Sequence, residues 1–478
     1  MDWVWSTETL TRALGLTLPA GFPQLAITSV QIDPDECVPG ALYVAILWDL
    51  AGRPEAEAIK TAVRNGAVAV FTNLPRLPFA LPVPVIHAGP TNRVLAALAL
   101  AARAEYAGRV VAVTGSVGKT TTKELIHHVL SRSGLSFRSP RNRNGFGGVC
   151  QAIVNRPLGS QFSVVELASS RPGNMRHARF ARPHVGVVTN VGVSHLENYG
   201  SPETLLREKV SLFDYLEGER VGIVHRSVLD ADDAGERLIR SKQLSRLLTV
   251  GADSDNDVHP SDVAFDGTGT RGTMSIHGHA YRFSLPLPGR HFVDNAMCAM
   301  AVACALGLDI DVSVEALATA APADRRFQRY KIAVDGGAIE LIDDAFNAAP
   351  ASVAALLATL AERRAKRVVL VFGDMLELGA DSARRHRDIA PLIENAGVDF
   401  LVTVGAFAQL ANPGSIDAAH FVDTDAAAAA IPALLRPQDL VAVKASSAIG
   451  LVRVVSAIRA IGESALAPSW RIEDEGPP

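Results

Sequence analysis

The stretch VVAVTGSVGKTTTKEL, residues 110–125, decides how the rest of the chain is read. Its apolar run Val110 to Val113 predicts a buried strand, Gly115 to Lys119 a loop, and Thr120 to Leu130 a helix ending near Gly134. Gly115, Ser116 and Gly118 let backbone N–H groups crowd around a phosphate, the helix N-terminus adds partial positive charge, and Lys119 adds a full one. Thr120 or Thr121 then offers a hydroxyl to Mg2+. Val113 stands where the longer phosphate-loop pattern has a glycine, so only GxxGKT is matched. The bland alternative is an ordinary glycine-rich turn between strand and helix. The flanking strand and helix favour a nucleoside triphosphate site.

Composition sets outer limits. A chain of 478 residues exceeds what one core supports, and 48% hydrophobic content excludes a mainly disordered one. A net charge of −4 gives no electrostatic reason to expect nucleic acid or an anionic membrane as partner. Cys37, Cys150, Cys298 and Cys304 lie far apart without zinc-site spacing, which suits a reducing compartment. The N-terminus lacks a signal-peptide apolar region and the longest apolar run falls short of a membrane span, so a cytoplasmic location is expected.

Along the chain the alternation of strand and helix signals predicts three α/β domains: residues 1–107, 108–324 and 325–478. In the first, LAITSVQI, ALYVAI, AVAVF and VPVIHA read as short strands. The second is a doubly wound phosphate-loop domain, with FSVVELAS and HVGVVTNVG as further strands and partly antiparallel pieces over 221–288. APADRRFQRY interrupts the apolar periodicity and reads as a hinge. Beyond it IELIDD, KRVVLVFGD, DFLVTVG and DLVAVKAS alternate with helices in a Rossmann-like domain, although no GxGxxG follows its first strand.

Residues 164–213 place Glu166 at one strand end and His195 after another. Strand carboxyl ends converge on the crevice of a doubly wound sheet, so both side chains fall within reach of a metal at the phosphate loop. Each has a plainer reading: a solvated strand-end carboxylate for Glu166, and a loop histidine bonded to backbone for His195.

TGSVGKTTTKE, the glutamate after a strand, TNVGVSHLENYGS and REK together resemble the Mur ligases, in order and in spacing. LPGRHFVDNAMCAMAVA, DRRF, LIDDAFNAAPASVAALLATL and VFGDMLELG agree with it downstream. The resemblance implies the three-domain architecture and an ATP-dependent, ADP-forming ligase. Such an enzyme phosphorylates a substrate carboxylate and passes the acyl group to an amine. By resemblance Lys119 grips the β- and γ-phosphates, Thr120 and Glu166 hold one Mg2+, and His195 helps to hold a second. Lys209 matches a lysine that becomes carbamoylated and serves as a metal ligand. Its plainer reading is a helix-surface lysine pairing with Glu203 or Glu208. Asn295 would contact adenine, while Arg326, Asp344 and Asn347 would meet the nucleotide when the C-terminal domain closes. For Asp344 the plainer reading is a helix N-cap. The DD-FNAAP and FGDMLELG stretches point to the branch whose acid is a UDP-N-acetylmuramoyl-peptide and whose amine is D-alanyl-D-alanine. A monomer is expected.

Specificity elements depart from that branch. SVQIDPDECVPG lacks the serine and arginine of the family's DSR-type signature, and WDLAGRPEA replaces its DGH segment. NRNGFGGVC, FNAAP and HFVDN differ from their counterparts, and KASSAIG lacks an arginine. These changes leave open a paralogue that joins another carboxylic acid to an amino acid or amine. Two readings of other classes are a nucleotide-binding scaffold and a phosphotransferase that stops at a phosphorylated small molecule.

Overall fold

In the computed structural model the described residues are 5–17, 23–46, 53–87, 89–192, 196–230, 233–265, 269–363 and 365–465. Among them the chain builds three large sheets in sequence. The first is four-stranded and parallel, in the order Ser29–Gln31, Ala41–Val44, Ala67–Thr72, Val85–His87. LAITSVQI does not form one strand. It breaks at Thr28, and Ala26–Ile27 pairs antiparallel with Trp5–Ser6 in a separate ribbon.

The second sheet carries the phosphate loop. From one edge its order is His279–Leu285, Thr270–Ile276, Val258–Phe265, Arg246–Val250, Val221–His225, Val185–Val188, Arg109–Thr114, Phe162–Glu166, Ser136–Arg138. The seven strands from Val258–Phe265 onward are parallel, and the two at the far edge are antiparallel. Their central members are valine-rich and buried on both faces, as covered parallel strands must be. The helices Lys119–Leu130 and Arg290–Ala305 pack together over one face. Arg109–Thr114 lies between Val185–Val188 and Phe162–Glu166, so the chain crosses to opposite sides of it and a crevice opens at its carboxyl end.

The third sheet runs Gln328–Val334, Gly337–Asp343, Asp439–Lys444, Arg367–Gly373, Phe400–Val404, Asp417–Phe421, all parallel except the first. The hinge reading of APADRRFQRY therefore reaches too far, because Gln328 already begins a strand. Within the link, Arg325 and Phe327 both adopt left-handed backbone, φ 50° and 60°, on either side of Arg326. Such cranked, side-chain-bearing positions persist where surrounding contacts fix them.

Candidate active site

The phosphate loop is braced by the segment that follows Val185–Val188. Ser116 N–H donates to the Asn190 carbonyl at 3.1 Å, Val117 N–H to Asn190 Oδ1 at 3.0 Å, and Thr189 Oγ1 to the Val117 carbonyl at 2.7 Å. The two glycines are forced by space as well as by backbone. A Cβ on Gly115 would sit 2.0 Å from Thr189 Oγ1, and one on Gly118 2.6 Å from Asn295 Oδ1. Asn295 also accepts from Thr122 Oγ1 at 3.0 Å. The loop is thus pinned at the start of the helix Lys119–Leu130, with the N–H groups of Ser116 and Val117 spent on Asn190 and the helix N-terminus facing the cavity.

Glu166 is 1% exposed, and both its oxygens are engaged: Thr120 Oγ1 donates to Oε2 and Asn144 Nδ2 to Oε1, each at 2.7 Å. This is not the solvated carboxylate of the plainer reading. Register explains it, since Glu166 pairs with Val113, one residue before the end of the phosphate-loop strand. Lys119 Nζ folds back onto the carbonyls of Gly115 and Ser116 at 2.8 and 3.1 Å. Burial lowers its pKa, with Glu166 and Glu377 opposing and Arg326 reinforcing the shift. Arg326 Nη2 donates to Thr120 Oγ1 at 2.9 Å, and the guanidinium lies 3.7 Å over the Phe346 ring.

Lys209 is fully buried, and its Nζ donates to Ser169 Oγ. The surface-lysine reading is overturned. Glu203 pairs with Arg207, and Glu208 accepts from the N–H groups of Gly173 and Met175. The helix Pro202–Val210 turns Lys209 inward instead. Burial, reinforced by Lys119, holds this amine well below the ordinary lysine range. Asp344 is no helix cap either: the helix starts at Pro350, and Asp344 accepts from Lys444 Nζ at 2.6 Å. His195 lies outside the described residues.

A cavity of about 740 Å³ gathers these groups. Ser116, Gly118, Lys119, Thr120, Thr121, Glu166 and Asn295 line one side, and Arg326, Asp344 and Asn347 the other. Gly115 and Lys209 are absent from the lining; Ser169, the partner of Lys209, is present. Asn144, Asn190, Phe346, Glu377 and Lys444 also line it, although sequence reasoning assigned them no role. Each lay inside a stretch already singled out, so the motif was visible and the division of labour within it was not.

Lys119 and Arg326 are partly desolvated cations that both feel the Glu166 carboxylate, and together they offer positive charge to a polyphosphate. The oxygen donors of Thr120 and Glu166 suit Mg2+, which keeps several waters and takes few protein carboxylates. Among the described residues no cluster of three His, Cys, Asp or Glu side chains forms.

A phosphate loop facing a second α/β sheet across a lined cavity is the arrangement of a nucleotide-dependent enzyme. Family models match accordingly: the Mur ligase middle domain over residues 113–303 and the Mur ligase, glutamate ligase domain over 325–447. The chain is 32% identical to the UDP-N-acetylmuramoyl-tripeptide--D-alanyl-D-alanine ligase of Mycobacterium tuberculosis strain H37Rv, covering 90% of this chain and 92% of that one. Its fold matches crystal structures of MurF from Acinetobacter baumannii, at TM-score 0.81, 24% identity and 96% and 99% coverage of the two chains. It also matches MurF ligase from Thermotoga maritima in complex with ADP, at TM-score 0.76, 24% identity and 92% and 98% coverage. The chain belongs to the Mur ligase family, and it is an ATP-dependent ligase that forms carbon–nitrogen bonds. Among the described residues no helix is long and apolar enough to cross a membrane.

Proposed function

We propose that this ligase joins D-alanyl-D-alanine to UDP-N-acetylmuramoyl-tripeptide, the reaction named for its relatives, by way of an acyl phosphate. One observation carries the chemistry: Lys119 and Thr120 at the start of the phosphate-loop helix, Glu166 at the end of the neighbouring strand and Arg326 in the link before the third sheet converge on one cavity. A carboxylate is a poor electrophile, and its phosphorylation supplies a leaving group. Lys119 and Arg326 offset the repulsion between substrate carboxylate and triphosphate, and hold the transferred phosphoryl group in line. Mg2+ held by Thr120, Glu166, His195 and Lys209 would supply further neutralisation of the phosphate oxygens. Asn295, behind the loop, takes the adenine side. Closure of residues 325–478 onto residues 108–324 excludes the water that hydrolyses an acyl phosphate, and residues 1–107 receive the acid.

Lys209 acts as a carbamate. Its buried amine, its proton affinity lowered by burial and by Lys119, attacks CO2, forming an N–C bond and releasing one proton, and the carbamate oxygens would then be available to help hold Mg2+. An ammonium there would repel both Lys119 and a metal.

A second reading, with a different acid, is favoured by the state of the arginines near residues 33–36. Arg143 is paired with Asp33 and Glu36, Arg141 with Glu36, and Arg53 with Asp35. Their charges are already satisfied, which leaves them less available to a diphosphate. ADP and product mass, measured with UDP-N-acetylmuramoyl-tripeptide with and without D-alanyl-D-alanine, separate the readings. Release that needs both substrates and yields the pentapeptide supports the first. No turnover from protein that binds ATP sinks it.

A further inference from the structure

Lys123 is a fully buried ammonium to which the reaction gives no part. It sits one turn past Lys119 on the helix Lys119–Leu130, and it does not line the cavity. Its Nζ donates to the Ser139 carbonyl at 2.8 Å and to the Arg141 carbonyl, and lies 3.1 Å from Glu124 Oε1. Glu124 in turn pairs with Arg138. Burying an ammonium is costly, and a well-packed apolar side chain fills such a space without that cost. Packing alone therefore does not call for a lysine here. The two carbonyls do.

Both carbonyls belong to the segment 139–144, which leads from the edge strand Ser136–Arg138 to the cavity. Its start is tied to the strand Phe162–Glu166: Ser139 N–H donates to the Val164 carbonyl at 2.9 Å, and Glu166 N–H to Ser139 Oγ at 3.1 Å. Arg141 is left-handed, at φ 50°, a conformation that persists in an arginine where contacts impose it. Lys123 holds its carbonyl, and Glu36 meets its guanidinium at 2.9 Å. The far end is set by close approach, since a Cβ on Gly148 would lie 2.4 Å from the Arg143 carbonyl oxygen. Ala168 N–H donates to the Asn144 carbonyl at 2.9 Å. Within this segment Asn142 and Asn144 line the cavity, and Asn144 Nδ2 donates to Glu166 Oε1 at 2.7 Å.

We propose that Lys123 is a positioning residue of the ligase, which acts through the segment 139–144 to keep the Asn144 amide on Glu166. This rests on the Mg2+ role proposed for Glu166. Without the ammonium the carbonyls of Ser139 and Arg141 lose a buried donor, and the left-handed turn at Arg141 loses the contact that fixes it from the helix side. The segment then relaxes, Asn144 withdraws, and the carboxylate that faces the metal is free to turn.

The test is calorimetric titration of ATP into the full-length protein, with Mg2+ in excess and with Mg2+ chelated, and it needs neither acid nor amine. The parent should gain affinity from Mg2+. In Lys123→Met, as in Asn144→Ala, that gain should shrink by about tenfold, while affinity for metal-free ATP stays within about threefold of the parent. The double variant should lose no more than the worse single one, because both act on one carboxylate. Additive losses, an unchanged gain in Lys123→Met, or an equal loss of metal-free affinity would overturn the proposal. No gain in the parent, or a full gain in Glu166→Gln, would overturn the Mg2+ reading itself. Thermal unfolding shows whether Lys123→Met folds. If it does not, Lys123→Gln, which keeps a donor for one carbonyl, makes the same comparison with a smaller loss expected.

Discussion

Arg326 Nη2 lies 2.9 Å from Thr120 Oγ1, a contact that closes 206 residues of chain and fastens the link before the third sheet to the phosphate loop. The guanidinium is trapped between that hydroxyl and the Phe346 ring, and left-handed residues flank it on both sides. It therefore reports whether the two halves are shut. Arg326→Ala should lower kcat by roughly 10²–10³-fold, as loss of a positioned donor to transferring phosphate does. Small-angle scattering with ADP should show a larger radius of gyration than the parent. Arg326→Lys, with one ammonium in place of a planar fork, should recover little of the rate.

Asn144 offers a quieter test of the proposed Mg2+ site. Its amide fixes the Glu166 oxygen that Thr120 leaves free. Partners that orient a metal ligand usually govern affinity by 10–100-fold. Asn144→Ala should accordingly raise the Mg2+ concentration for half-maximal ADP release by about that factor. Nucleotide binding without metal, followed by calorimetry, should change far less. An unchanged Mg2+ requirement would show that Glu166 is oriented without this amide.

Much of this site was legible locally and part of it was not. GSVGKTT announces itself because the glycines, lysine and helix start are consecutive, and the structure puts the helix at Lys119–Leu130. The bond between Asn144 and Glu166 depends instead on the register of Ser136–Arg138 and Phe162–Glu166, which no local pattern encodes. Lys209 reads as a surface lysine within REKV, and only packing of its helix turns it inward. Two edge strands escaped for a related reason. Gln328–Val334 is charged and half exposed, so it resembled the end of a hinge, while DAAHF at Asp417–Phe421 has too little apolar content to stand out.

Lys209 makes a prediction about stability as well as rate. Its pKa is lowered, so between that value and the ordinary 10.5 the unfolded chain binds more protons than the folded one. Stability rises with pH through that window, and the penalty is complete below the lowered value. In bicarbonate-free buffer, Lys209→Met should remove the penalty. Its melting temperature at pH 7 should equal or exceed that of the parent, with the gap narrowing toward pH 10. Ligase activity should fall to background, and adding bicarbonate should raise the rate of the parent alone. A variant less stable at pH 7 would mean that the bond to Ser169 outweighs the burial of the amine.

Arg143 tests how residues 1–107 speak to the Glu166 carboxylate. Its fork meets Glu36 Oε2 at 2.7 Å, Asp33 Oδ2 at 3.2 Å and Gln151 Oε1 at 3.1 Å, and the next residue is Asn144. The pairs are partly exposed, so their direct contribution to stability is small. Their contribution to position is larger, because three contacts from two elements fix the backbone that carries the Asn144 amide. Arg143→Ala should raise the KM for the acid and the Mg2+ requirement together, leaving the KM for the amine unchanged. Asp33→Asn with Glu36→Gln keeps the arginine and its bond to Gln151, and frees its charge. If the natural acid carries a diphosphate, that double variant should bind UDP more tightly than the parent at low salt, by calorimetry. Unchanged affinity would mean that this arginine serves the loop and not the acid.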